Sequence, residues 1–493
     1  MELQTSVFGQ GAEISAPDNV IPLCELAKAL EEAGEFESAA ETLLPFWTGV
    51  LHRPDTTGLT DHAKAELLLT TGTLTGWLGS AKQIAGAQEA AKDLISESAT
   101  AFETLGLSDK VAEARVDLAI CYWREGALDE ARITLRLVLD DLGETHSEQK
   151  LRALLNSAIV EKVATRDQEA LRIYREAAPK FETCTNHALK GKFHNSHATL
   201  LRSLGFSENR EEYIDKALIE YAAASFHFEQ AGHDRFQARV ENNVGFLLAN
   251  LHKFPEAREH VNRARRLFGK LADHGGAAYA DDTLAQVFLL EGNTEEAEKV
   301  ARRAVHALSR GGEQAELAEA LTTHGKALAR LKQASVARGA LDQAVEIAQN
   351  AGHPDRGGIA AITAIEELNT YLSTDALQDY YRTAESLLSN SQNVSIKNRL
   401  GECARRVLSA SLAEATTADA TPANFSLDAE VLRYEGSLIR KALEESGGSV
   451  TRAARRLGVT HQGLAFILNG RHSDLLSIRT PVKKRRRSII RHH

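Results

Sequence analysis

The feature that most constrains this chain is an internal repeat of about 40 residues. Three stretches show it plainly: ARVENNVGFLLANLHKFPEAREHVNRARRLF from Ala238, AYADDTLAQVFLLEGNTEEAEKVARRAVHAL from Ala278, and AEALTTHGKALARLKQASVARGALDQAVEIA from Ala318. Each reads as a helix, a turn and a second helix, with apolar residues at helical spacing. Aligned on a small residue of the second helix, the units mark Ala91, Ala131, Ala170, Ala217, Ala257, Ala297 and Ala337, spaced by 40, 39, 47, 40, 40 and 40 residues. An earlier unit, ELAKALEEAGEFESAAETLLPF, places Ala39 the same way, and a weaker one covers residues 363–388. The turn often carries glycine: Gly34, Gly126 and Gly292. An amphipathic hairpin cannot bury its apolar face alone, so repeated hairpins must stack into a solenoid with a concave face. Nine prolines and few β-branched runs leave little room for a sheet, so the expected class is all-α.

Ala119, Gly245, Ala285 and Gly325 occupy the small-residue position of the first helix, and Tyr122 and Phe254 occupy aromatic positions. With these, the array resembles the tetratricopeptide repeat, in a variant whose period is lengthened to about 40 residues. The resemblance implies a right-handed superhelix whose groove binds a protein or peptide through the first helices. Carried over by register, it gives Lys192, Asn195 and Arg202 in one repeat and Arg239, Asn242 and Asn250 in the next, with Asp282 extending the row. An asparagine amide both donates and accepts, so Asn195 and Asn242 suit a peptide backbone. Lys192 and Arg239 suit a carboxylate. These positions equally suit solvated polar residues on an open face. His194 and His197 stand at i, i+3 with His187 nearby, but no third ligand has a matching spacing, so no metal is expected.

The C-terminal region has a different pattern. In SVTRAARRLGVTHQGLAFILNGR, residues 449–471, Val450, Ala453, Ala454 and Leu457 form one helical face, and Gly458 follows where a helix end favours positive φ. Thr460 is placed to cap a second helix carrying Leu464, Ile467 and Leu468. Two helices joined by a short glycine-containing turn make a helix-turn-helix. A longer helix capped by Ser426 precedes them, with Val431, Tyr434, Leu438 and Ala442 in one stripe and an end at Gly447-Gly448.

The run LRYEGSLIRKALEESGGSVTRAARRLGVTHQGLAFIL resembles the Fis-type helix-turn-helix, which ends NtrC-like bacterial activators. The resemblance covers about the last 60 residues. It implies double-stranded DNA as a partner, dimerisation through the long helix, and a last helix that enters the major groove. By the same resemblance Thr460, His461 and Gln462 face base edges, with Asn469 beside them, and Thr451 and Arg452 touch phosphate. The family has basic residues where this chain has Phe466 and Ile467. Phosphate anchoring then falls to Arg455, Arg456, Arg471, His472 and the tail residues Lys483, Lys484, Arg485, Arg486 and Arg487.

Charge divides the chain in the same place. From Ser426 onward there are 14 Lys+Arg against 6 Asp+Glu, leaving 44 against 62 in the remainder. A basic end on an acidic body implies that only the end approaches nucleic acid. The expected organisation is an N-terminal arm over 1–19, the repeat array with a capping helix over 20–412, a polar linker over 413–425, the helix-turn-helix domain over 426–477, and a basic arm over 478–493 that orders on DNA.

Cys24, Cys121, Cys184 and Cys403 are far apart and form no CxxC pair, which speaks for reduced thiols in a cytoplasmic protein. No signal peptide and no apolar run of about 18 residues is visible, so no membrane is expected. GxxxxGK[ST], GxGxxG, HExxH and GxSxG are absent, so neither an enzyme nor a cofactor is expected. The leading expectation is a bacterial DNA-binding transcriptional regulator, dimeric and nucleoid-associated when bound. The alternative is an interaction scaffold whose basic end is a nonspecific anchor to nucleic acid or acidic partners.

Overall fold

The computed structural model describes residues 19–419 and 426–479, and every regular element among them is helical. The array and the C-terminal domain are separate units, divided by contacts at Ala410 and Ser411. The first is an α-solenoid of tetratricopeptide type and the second a small helix-turn-helix domain.

Among the described residues, nine helical hairpins make up the array. They begin with Val20–Glu32 and Phe36–Thr42 and end with Pro354–Leu368 and Thr374–Leu387, after which a single helix, Val394–Asp419, follows. The alanines that set the repeat register, from Ala39 to Ala337, are each fully buried. There a larger side chain would push the paired helices apart. Gly245 and Gly325 serve the facing position of the first helix. A Cβ on Gly245 would stand 2.5 Å from Val261, and one on Gly325 would stand 2.7 Å from Leu341. The helix expected to cap the array runs on through 413–419, placed in the linker by sequence, because no proline or glycine interrupts AEATTAD. The linker's remainder at 420–425, most of the N-terminal arm (1–18) and the tail residues 480–493 lie outside the described residues.

The array coils until it meets itself. Arg235 Nε donates to the carbonyl of Gly34 at 2.9 Å, across 201 residues of sequence, and its guanidinium pairs with Glu37 and with Asp273. Gln83 Nε2 donates to Glu313 at 3.1 Å, and Asn393 Nδ2 to Asp167 at 3.1 Å. At Gly126 the two passes lie so close that a Cβ would stand 2.2 Å from the carbonyl oxygen of Ala351. The first helices of the hairpins face inward, and the groove expected from sequence is a chamber walled by successive turns of the coil.

In the C-terminal unit, Leu427–Glu445 is capped by the Ser426 hydroxyl, which accepts from Ala429 N at 3.3 Å. Val450–Arg456 and His461–Asn469 follow, joined through Gly458 at φ 68°. Ile439, Leu443, Ala453, Ala454, Leu464 and Leu468 form the core. A 3-10 turn, Ser473–Ile478, which the sequence pattern did not show, inserts Leu475 beneath them.

Candidate functional site

The chamber encloses about 490 Å³ and is lined by both signs of charge. Several lining charges are neutralised by neighbours. Lys28 lies 2.9 Å from Glu66 and 3.0 Å from Glu113, Arg152 pairs with Asp117, and Arg356 pairs with Glu319. Others stand beside rings and form no close ion pair with a described residue, although Glu31 acts on Lys192 and Glu313 on Arg124 from farther off. The Arg124 guanidinium stands 4.1 Å over the ring of Trp77. Lys192 Nζ lies 5.7 Å from Trp77 and 5.2 Å from Phe236, and Arg239 lies 5.5 Å from Phe236. Burial pulls Arg124 and Lys192 below their ordinary pKa values, and burial raises Glu31 and Glu313. Such a wall stabilises a partner carrying charge better than an apolar one, because desolvated ions gain most from a counter-ion.

Of the groove residues expected from sequence, Lys192, Asn195, Arg202 and Arg239 line this chamber. Asn242 does not. It is buried between helices and its Nδ2 donates to Thr283 Oγ1 at 3.0 Å. Its neighbour Asn243 takes the wall position and donates to Asn195 Oδ1 at 3.0 Å. One residue is 100° of helical turn, and two consecutive asparagines gave the pattern no way to choose. Asp282 is also buried, accepts from Gln286 at 2.7 Å, and is pushed up to about 7 by burial and by Glu319. Asn250 bonds the Phe246 carbonyl of its own helix. Trp77, Phe236 and Arg124 were not singled out by sequence, since aromatic residues at helical spacing read equally well as core.

His194 and His197 both turn to Glu220, at 2.6 and 3.3 Å, and His187 Nδ1 lies 2.9 Å from His227 Nδ1. Burial opposes ionisation of Glu220, but the two histidines hold it down at about 2. No group of three His, Cys, Asp or Glu among the described residues is placed to hold a metal ion.

In the second unit, Thr460 Oγ1 accepts from Gly463 N at 3.0 Å and starts the helix His461–Asn469. Its buried side is Leu464 and Leu468, while His461, Gln462 and Asn469 are exposed, as are Thr451, Arg452 and Arg455 on the preceding helix. Arg456 pairs with Glu445 at 2.7 Å and Arg471 with Glu435 at 2.6 Å. His472 departs from its expected phosphate role. It is buried, 2.9 Å from Glu435, and ties the turn after the last helix to the first. Lys483, Lys484, Arg485, Arg486 and Arg487 lie outside the described residues.

Residues 236–310 match the tetratricopeptide repeat family, and residues 433–465 match "Bacterial regulatory protein, Fis family". The first match points to protein interaction and the second to DNA binding. No curated protein matches the chain. Among solved structures, a Rap protein complexed with Competence and Sporulation Factor is 16% identical with a TM-score of 0.53, over 78% of this chain and 99% of that one. Yeast Tom70 is 12% identical with a TM-score of 0.39, over 84% and 85%. No helix among the described residues is long and apolar enough to cross a membrane.

Proposed function

We propose that this chain, a tetratricopeptide-repeat protein ending in a Fis-family helix-turn-helix domain, is a bacterial transcriptional regulator whose array takes a protein or peptide partner. The observation that carries the reading is the presence, in one chain, of a chamber lined by buried charges of both signs, with Arg124, Lys192 and Arg239 beside aromatic rings, and a capped two-helix reader. The Rap structure, which shares the coiled fold, is complexed with Competence and Sporulation Factor, and this supports a protein or peptide partner for the array here. A short peptide suits the chamber: amides at Asn195 and Asn243 for its backbone, and Lys192, Arg239 and Arg124 for a carboxylate.

The reader acts as a dimer in the bacterial cytoplasm and without catalysis of its own. Two recognition helices placed on one face of the duplex contact half-sites about 34 Å apart. Phosphate contacts from Arg452 and Arg455 add a salt-dependent share of affinity. Occupancy of the chamber then changes DNA access. Selection from randomised duplexes with the full chain is expected to yield a two-fold-symmetric motif that Gln462→Ala relaxes. Salt-sensitive binding with no motif would favour the scaffold reading instead.

A further inference from the structure

The helix His461–Asn469 carries one strip directed away from its buried side. Gln462, Ala465, Phe466 and Asn469 fall on it at i, i+3, i+4 and i+7. The two amides are exposed, and Phe466 is 81% exposed, the most exposed large apolar side chain among the described residues. The core of the unit closes without it. A second exposed apolar face among the described residues, at Val431, Tyr434 and Leu438, is on a different helix. The ring stands in water on the same strip as the two amides, so one partner docked there would meet all three.

The strip's chemistry selects the partner. It has no lysine or arginine, so it lacks the bidentate reader of guanine O6 and N7. Glutamine and asparagine amides are bidentate to adenine N6 and N7, and apolar side chains meet the C5 methyl of thymine. Gln462 and Asn469 are seven residues apart, about 10 Å of helix, the rise of about three base pairs. Two adenine readers thus flank apolar surface over one short run of pairs, with exposed Arg452 and Arg455 on the adjoining helix to meet phosphate.

We propose that this strip reads a short A·T-rich half-site in the major groove, and that Phe466 selects a thymine there by covering its C5 methyl group. The proposal rests on the reading of this unit as a DNA-binding domain. Its test uses the full chain. A motif is selected from randomised duplexes, and each thymine in it is then replaced by uracil, which removes the methyl and nothing else. Affinities are measured by fluorescence anisotropy for the wild type and for Phe466→Ala, whose thermal unfolding should match the wild type because the ring packs on no core residue.

The expected half-site is A·T-rich. One uracil exchange should weaken the wild type about fourfold, the worth of one buried methyl, and leave Phe466→Ala unchanged. A half-site rich in G·C, or an exchange that costs both proteins the same, overturns the assignment and leaves the DNA-binding reading standing. Failure of the wild type to select any motif overturns that reading and the assignment with it. If Phe466→Ala keeps the full motif and its thymine dependence, the ring serves a protein contact and the assignment falls.

Discussion

Lys332 occupies a backbone conformation that disfavours any side chain. Its φ is 62°, in the left-handed region, where a Cβ costs about 1 kcal/mol or more. Gly34, Gly126 and Gly292 stand at the same point of their hairpins, two residues before the second helix, with φ between 79° and 89°. Lys332 is exposed and pairs with no acidic group among the described residues. Lys332→Gly should therefore stabilise the chain by about 1 kcal/mol, offset in part by the freer unfolded chain. A urea titration checks it: the midpoint should rise, and a fall would show that glycine's entropy outweighs the relief. The same turn explains what was legible at this scale. Three hairpins announce it with glycine, but Asn209 and His252 hold it elsewhere with only a weak composition signal and Thr165 with none, at φ of 54–58°. Asn242 and Asn243 failed for a similar reason, since a pattern of types cannot resolve one residue of rotation.

Elements were legible wherever periodicity and caps agreed. The hairpins of the array and the Ser426 and Thr460 caps follow from such patterns, whereas the 3-10 turn Ser473–Ile478 has no period and is held by Leu475, with Leu476 and Ile478 packed beside it. The helix Leu427–Glu445 shows what an amphipathic pattern leaves open. Its C-terminal half buries Ile439, Ala442 and Leu443 within the unit, while Val431, Tyr434 and Leu438, on the same helix, remain exposed. A second copy of this helix is the occupant implied by the proposed dimer. Tyr434→Glu places a charge in that stripe without touching the core, so the fold should persist while self-association is lost. Sedimentation velocity of the full chain checks this. Dimers in the wild type and monomers in the variant are expected, with DNA affinity falling at least tenfold as one of two half-sites is given up. A variant that remains dimeric would place the interface elsewhere.

At the scale of the whole array, the decisive contacts join residues about 200 apart, and no local pattern announces them. Gly126 against Ala351 and Arg235 on the Gly34 carbonyl are visible only once the coil has closed. His233 makes that closure sensitive to pH. It is buried, its Nδ1 accepts from Phe236 N at 3.4 Å, and its ring packs over Gly34, where a Cβ would stand 2.5 Å away. Burial, with Lys192, Arg239 and Arg235 nearby, holds its pKa down at about 2, against an ordinary value of 6.5. Below pH 6.5 the unfolded chain binds a proton that the closed coil refuses, so stability is present above 6.5 and is lost progressively as pH falls toward 2. Burial lowers His353 as well, and Glu220, held low, loses its contribution below its own ordinary range, so the whole array weakens in acid. The share due to His233 is separable. His233→Asn keeps an N-cap acceptor but cannot titrate. Between pH 7 and pH 5 the thermal midpoint of the wild type should fall more steeply than that of His233→Asn. Equal slopes would mean that the ring is reached by water before the coil opens, and that the contact at Gly34 is not what acid breaks.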